Sequence, residues 1–217
     1  YPARRLAVEA RIACSVGDFV EAKALLDEAE RLHVADFFPI SRPMGAMRAR
    51  ISIRQRDWAA VERWQRETKV TADQPLSYSS EYEQVTLVRI LLARKDARAA
   101  MLLADRLQPF AEKGGRYAVV TELAVLRSLA LGAMGDAAAA QTAMRAALDM
   151  AESNGQVRVF LDESEAVADV LRDAAKGRAG SAFARKLLAL LGAPQPSPRP
   201  VEHADLLEPL SERELDV

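Results

Sequence analysis

Apolar residues recur at helical spacing along most of the chain, in segments joined by short polar turns. The segment from Phe19 to Leu32 places four apolar residues on one helical face: Ala22, Leu25, Leu26 and Ala29. The segment from Ala137 to Ala147 repeats this arrangement with Ala140, Ala143, Met144 and Ala147. Spacings of three and four residues are typical of an amphipathic helix that buries one side. The pattern predicts an all-helical protein.

Turn-like residue pairs that end in Asp recur at a nearly constant interval. They are Gly17-Asp18, Arg56-Asp57, Lys95-Asp96 and Gly135-Asp136, and the Asp residues stand 39, 39 and 40 positions apart. An Asp side chain in such a place can accept hydrogen bonds from the free N–H groups of the next helix. The interval therefore predicts four units of helix, tight turn and helix, from about Tyr1 to Asn154.

Small or β-branched residues stand 12 positions apart across each turn, where they let the two helices of a hairpin approach closely. The pairs are Ala10 with Ala22, Ala49 with Val61, Val88 with Ala100, and Ser128 with Ala140. This pattern resembles the tetratricopeptide repeat, although the period exceeds the 34 residues typical of that repeat and predicts longer helices. The resemblance implies an all-α, right-handed superhelix of antiparallel helix hairpins.

A fifth, atypical unit follows, with one helix expected over 156–175 and another from Ser181 to Leu191, closing on Gly192. Such a unit can cover the last apolar face of a helical repeat array. About ten helices and one helical-repeat domain over 1–192 are predicted.

The composition changes at Ala193. Beyond it, Pro194, Pro196, Pro198 and Pro200 alternate with other residues, which favours an extended spacer over 193–209. Residues 210–217 then read Leu-Ser-Glu-Arg-Glu-Leu-Asp-Val, with Ser211 and Glu214 in a capping-box arrangement. This octapeptide resembles the start of the helix-turn-helix domain of LuxR-family transcription regulators. Val157 to Glu165 also resembles a segment near the end of the repeat array in the large, MalT-type members.

The resemblance implies a segment of a longer regulator, with a nucleotide-binding module before it and a DNA-binding domain after it. ATP is the cofactor expected for that module; no cofactor is expected in this segment, which contains no phosphate-binding G-x-x-x-x-G-K-[ST] motif. DNA would be bound only through the C-terminal domain, because the recognition helix would lie beyond Val217.

Composition narrows the functional classes. The formal net charge is −1, so no overall basic field draws the chain to nucleic acid or acidic lipid. Cys14 is the only cysteine, which excludes an intramolecular disulfide and favours a reducing cytoplasm. The longest uncharged stretch, Leu187 to Pro198, is too short to span a bilayer, so no membrane association is expected.

Candidate binding residues come from the repeat register, in which the residue after the small one faces the concave groove of the array. Arg11, Arg50 and Arg89 occupy this place at intervals of 39, and Arg4, Arg54 and Tyr82 lie on the same predicted face. Guanidinium groups suit carboxylate or phosphate, which favours an anionic metabolite or an acidic partner segment. The alternative is a solvated face, or arginines that pair with glutamates of the next unit.

The remaining chemistry-bearing residues have simpler interpretations. Five aromatic residues could wall a pocket, but we interpret most of them as packing residues: Trp58, Trp64, Tyr78, Tyr82 and Tyr117. Asp162, Glu163 and Glu165 are interpreted as acids at the positive end of a helix dipole rather than a catalytic or metal site. His33 and His203 lack partners at metal-ligand spacing, and no catalytic signature is present.

Together these patterns predict the effector-sensing and oligomerisation domain of a LuxR-family, MalT-type regulator. Its partners would be a small-molecule effector or a regulatory protein, and a second copy of the chain in a homo-oligomer. The alternative is a tetratricopeptide-type scaffold that binds proteins and no small molecule; an enzyme has no positive support.

Overall fold

The computed structural model describes residues 2–33, 42–176 and 181–192. These residues form eleven α-helices and no strand. The first six are α1 (Pro2–Ser15), α2 (Phe19–Arg31), α3 (Met44–Gln55), α4 (Trp58–Thr68), α5 (Tyr78–Ala93) and α6 (Ala97–Lys113). The others are α7 (Tyr117–Ala133), α8 (Ala137–Asn154), α9 (Arg158–Leu161), α10 (Ser164–Ala174) and α11 (Ala182–Gly192). The all-helical prediction is confirmed, while the expected linker over 193–209 and the start of a new domain over 210–217 lie outside the described residues.

The four Asp-ended turns have the same geometry. Each Asp side chain accepts a hydrogen bond from the backbone N–H three residues later, over distances from 2.9 to 3.2 Å. The residue before each Asp has a positive φ, between 57° and 87°; these residues are Gly17, Arg56, Lys95 and Gly135. The left-handed residue ends one helix and the Asp side chain begins the next, so the predicted capping is confirmed.

The small residues across each turn are buried, as the close-approach pattern predicts. All eight members of the four pairs are at most 3% exposed. In the fourth hairpin the contact is a direct hydrogen bond, because the Ser128 hydroxyl donates to the carbonyl of Ala140. The 12-residue offset therefore marks the places where the paired helices meet.

The described helices fall into two units. One contains the α1–α2 hairpin, in which Leu26 and Ala29 are fully buried. The other contains α3 to α11, with hairpins α3–α4, α5–α6, α7–α8 and α10–α11. Its core has two parts: one centred on Val61, Val88 and Leu107, and one centred on Met144, Phe160 and Leu171.

The expected single helix over 156–175 is wrong. The chain forms the short α9, turns at Asp162 and Glu163, and resumes as α10. The Glu163 N–H donates to the carbonyl of Phe160, which closes a tight turn, and α9 contacts α7, α10 and α11. A continuous helix could not fold back on its own second half. The break lets Phe160 pack edge-to-face on Phe183 of α11, with ring centroids 6.2 Å apart.

The aromatic residues divide between core and surface. Trp64 is buried, and Trp58 and Tyr82 pack against the core, as predicted. Tyr78 and Tyr117 are 52% and 62% exposed, so these two are the exceptions to an interpretation that holds for most of the five. Both are the first residue of the first helix of a hairpin, α5 and α7.

Within the described ranges, no helix is both long and apolar enough to cross a membrane.

Candidate functional site

The first helices of successive hairpins contact one another in the second unit. Helix α3 contacts α5, α5 contacts α7, and α7 contacts both α9 and α10. Charged and polar side chains from these helices meet on one side, in a group that we call the Arg–Glu cluster. Its members are Arg50, Tyr82, Thr86, Arg89, Glu122 and Glu163.

Helix α5 supplies three members because of their spacing. Tyr82, Thr86 and Arg89 stand four and three residues apart, which places them on the same helical face. The Thr86 hydroxyl donates to the Tyr82 carbonyl at 2.8 Å, so it has an acceptor one turn earlier in its own helix. This leaves the Thr86 oxygen lone pairs available to a neighbouring helix.

Arg50 of α3 uses several polar atoms to join its own helix to the next two first helices. Its Nε donates to Thr86 Oγ1 at 2.9 Å, and its Nη1 donates to Glu122 Oε1 of α7 at 2.8 Å. The guanidinium carbon lies 3.8 Å from the centre of the Tyr82 ring. Stacking on a ring while separate nitrogens donate to two different acceptors is an arrangement that suits arginine better than lysine.

Arg89 of α5 lies between two carboxylates. Its Nη2 is 3.0 Å from Glu122 Oε1, and its Nη1 contacts Glu163 Oε1 in the turn between α9 and α10. Only 10% of the Arg89 side chain is exposed, and Glu122 and Glu163 are 17% and 15% exposed. The cluster thus runs from α3 to the α9–α10 turn.

The two carboxyl groups differ in pKa. Burial acts to raise the pKa of Glu122, but the charges of Arg50 and Arg89 outweigh burial and lower it below its ordinary value. For Glu163 burial prevails, so its pKa is raised even though Arg89 opposes the shift. Burial also acts to lower the pKa of Arg89, and the carboxylates of Glu163 and Glu122 more than compensate and raise it. Arg89 is therefore always charged, whereas Glu163 is the group that most readily takes a proton.

The Arg–Glu cluster pairs positive with negative side chains in a partly buried environment. Two guanidinium groups face two carboxyl groups, so an anion that enters the cluster must compete with Glu122 or Glu163 for the arginines. Partial burial strengthens each of these interactions relative to an exposed ion pair. As observed, the cluster is a link between hairpins through paired charges.

The structure places the predicted site residues in two groups. It brings Arg50, Tyr82 and Arg89 together and pairs both arginines with glutamates of later hairpins. Arg89 pairs with Glu122 of the next hairpin, as the alternative interpretation expects, whereas Arg50 reaches the same carboxylate two hairpins on. Arg54 is exposed one helical turn beyond Arg50. Arg4 and Arg11 are exposed on α1, in the other unit.

Sequence reasoning missed Thr86 and Glu122, and it gave Glu163 a different role. Glu163 directly precedes α10, so it does stand at a helix start as expected, but it also contacts Arg89, which the sequence did not indicate. A usable signal existed for Glu122, which is the only acidic residue of the largely apolar helix α7. A lone acid on a buried helix requires a cationic partner.

Metal chemistry has no support in the part of the chain that the structure describes, where no group of His, Cys, Asp or Glu side chains is arranged to hold an ion.

Comparison with known proteins identifies the helical region. No curated protein and no solved structure matches the chain. The family model described as the MalT-like TPR region matches residues 3–177, which include every helix from α1 to α10 apart from the first residue of α1. Tetratricopeptide-type regions of this kind are helical sensor or protein-interaction domains, a scaffold type of fold. The chain belongs to the MalT-like TPR region family.

Proposed function

We propose that this chain is the effector-sensing and oligomerisation domain of a LuxR-family, MalT-type transcription regulator. A small anionic effector or a regulatory protein binds on the first-helix face that carries Arg50, Tyr82 and Arg89. This binding controls whether a C-terminal domain of the full-length regulator binds DNA. The domain itself catalyses no reaction and acts in the cytoplasm.

The observation that carries this proposal is the continuity of the Arg–Glu cluster across hairpins. Arg50 and Glu122 are 72 residues apart in sequence, yet their side chains are hydrogen-bonded at 2.8 Å. Arg89 extends the contact to the α9–α10 turn. A ligand that takes one of these guanidinium groups changes contacts in several hairpins at once. It thereby favours one arrangement of the array over another, which is the requirement for a population shift.

A thermal-shift screen tests ligand binding. Sugar phosphates, organic acids and acyl-CoA compounds are screened against the chain and against Arg50→Ala and Arg89→Ala, with Arg94→Ala as the control. Arg94 pairs with Glu62 at the surface and lies outside the cluster. A ligand at 100 times its dissociation constant adds about 2.7 kcal/mol, which raises the thermal midpoint by about 5–10 °C. A shift lost in the first two variants and kept in the third supports the sensor.

The same screen separates the sensor from the scaffold. If no compound in the panel shifts the midpoint of the chain, the anionic small-molecule effector is contradicted. The protein-binding scaffold then becomes the better interpretation, since such a domain uses the same helical face for a partner protein.

The regulatory role needs a separate measurement. In a promoter-reporter assay with the full-length regulator, deletion of residues 1–192 should abolish the response to the inducing condition. A response that persists after this deletion would contradict the proposed role in sensing.

A further inference from the structure

The two carboxylates that contact Arg89 are held unequally. Glu122 Oε1 receives a hydrogen bond from Arg50 at 2.8 Å and lies 3.0 Å from Arg89 Nη2, so it is shared by two arginines. Among the described residues, Glu163 contacts one guanidinium, at Arg89 Nη1. Glu163 therefore has fewer cationic contacts within the cluster than Glu122.

Electrostatics distinguish the two carboxylates in the same way. Burial raises the pKa of Glu163, and the neighbouring charges of Glu122 and Asp162 add to that rise. The pKa of Glu122 is lowered by Arg50 and Arg89. Burial thus makes the charged form of Glu163 less favourable than that of Glu122. Another anion can therefore replace Glu163 at Arg89 with a smaller loss of free energy than it could replace Glu122.

The position of Glu163 gives its replacement a consequence for the fold. Glu163 stands in the turn between α9 and α10, and α10 in turn packs against α7, α8 and α11. Phe160 before the turn and Val167 after it are fully buried. A change at Glu163 therefore acts on the turn between these two anchored residues, and the backbone transmits it to the start of α10.

We propose that Glu163 occupies the subsite that a carboxylate or phosphate group of the effector takes at Arg89, and that effector binding displaces Glu163 and releases the α9–α10 turn. This inference rests on the proposed sensor function and names the chemistry of the effector group. The guanidinium of Arg89 supplies the donor fork that either anion requires. In the absence of effector, the carboxylate of Glu163 keeps the buried guanidinium paired.

Chemical rescue tests the subsite without knowledge of the effector. Replacing Glu163 by Ala removes the internal carboxylate, while Phe160 and Val167 continue to anchor the turn. Thermal midpoints of the whole chain are measured in sodium acetate, sodium phosphate and sodium chloride at equal ionic strength. Glu152→Ala, at an exposed position of α8, is the matched control, and Glu163→Ser is a second variant of the same site.

The expected result is a rise in the midpoint of Glu163→Ala, relative to chloride, that the unchanged chain and Glu152→Ala do not show. The rise is about 1 °C when the anion equals its dissociation constant and about 4 °C at ten times that concentration. Rescue by acetate alone assigns a carboxylate to the effector, rescue by phosphate alone assigns a phosphate, and rescue by both supports the shared chemistry. Addition of Arg89→Gln to Glu163→Ala should abolish the rescue.

Equal shifts in the unchanged chain, Glu163→Ala and Glu152→Ala would overturn the subsite, as would rescue that survives Arg89→Gln. The Nε–Hε resonance of Arg89 provides a second readout, because only an anion that binds at this guanidinium shifts it in Glu163→Ala and Glu163→Ser. These outcomes do not depend on the reporter assay. Failed rescue with an intact inducer response rejects the subsite and keeps the sensor function. Successful rescue with no inducer response shows an anion site at Arg89 but rejects both the sensor function and the effector role of that site.

Discussion

The hydroxyl oxygen of Ser128 on α7 lies 2.7 Å from the carbonyl oxygen of Ala140 on α8. Ser128 is fully buried and Ala140 nearly so, and the pair occupies the place where the other hairpins bring two small or β-branched residues together. The Ser128 hydroxyl has a protein acceptor and needs no water, and the small serine side chain permits the close approach of the two helices. The relationship shows why a polar residue is tolerated at this buried repeat position.

Substitution of Ser128 should therefore separate the hydrogen bond from the packing. We expect Ser128→Ala to lower the free energy of unfolding by about 1 kcal/mol, the usual worth of one such bond. Ser128→Leu should cost about 3 kcal/mol, because the larger side chain cannot fit between the helices. Urea unfolding measures both. Ser153→Ala is the control, since Ser153 makes a similar bond to the Asp149 carbonyl at an exposed site and should change stability by less than about 0.5 kcal/mol.

Glu122 should be the most costly carboxylate to remove. Glu122→Gln deprives Arg50 and Arg89 of their shared negative partner, and we expect a loss of about 2–3 kcal/mol in the free energy of unfolding. Glu62→Gln removes the partner of Arg94 from a largely exposed pair and should cost less than about 1 kcal/mol. Parallel urea titrations give both values. Similar losses in the two variants would show that the cluster adds no more stability than a surface ion pair.

The pH dependence of stability should differ between the two glutamates. The pKa of Glu122 is lowered in the folded state, so its contribution is present above the ordinary value of 4.5 and is lost as pH falls through the lowered value. The free energy of unfolding of Glu122→Gln should consequently fall less on acidification than that of the unchanged chain.

Glu163 should act in the opposite direction, because its pKa is raised. Above an ordinary value of 4.5, the folded state holds a proton that the unfolded chain releases, so stability falls as pH rises toward the raised value. The free energy of unfolding of the unchanged chain should therefore fall relative to that of Glu163→Gln through this window, and the difference should then level off. Urea unfolding between about pH 3 and pH 8 checks both slopes. Parallel curves for the two variants would contradict the assignment.

Two glycines of α7 and its turn should respond oppositely to the same substitution. Gly135 has φ +87°, and among the described residues no atom lies within 4 Å of a Cβ at that position, so Gly135→Ala costs about 1 kcal/mol through backbone strain alone. Gly132 lies inside the helix, where a Cβ meets the Cβ of Ala140 at 3.9 Å, an ordinary contact. Gly132→Ala should therefore stabilise the protein by about 0.5–1 kcal/mol. Thermal or urea unfolding distinguishes the signs, and two changes of the same sign would contradict the turn geometry.

Much of the helical architecture could be read from the chain. Asp capping, the turn residues and the small pairs are local features, which depend on neighbours three to twelve positions away. Asp136 illustrates this, because its cap bond to the Ala139 N–H requires only the residues of that turn. The sequence by itself thus determined the hairpins and their approximate boundaries.

Tertiary structure decided where the hairpins meet and which charges pair. The partnership of Arg50 with Glu122 joins residues 72 positions apart, and no local pattern specifies that the guanidinium selects this carboxylate. The break between α9 and α10 likewise accompanies the packing of Phe160 on Phe183, a contact between distant residues that no local pattern specifies. Hydrogen bonds within a turn are determined by local backbone geometry, whereas ion pairs between hairpins depend on the distances that packing of the whole array sets.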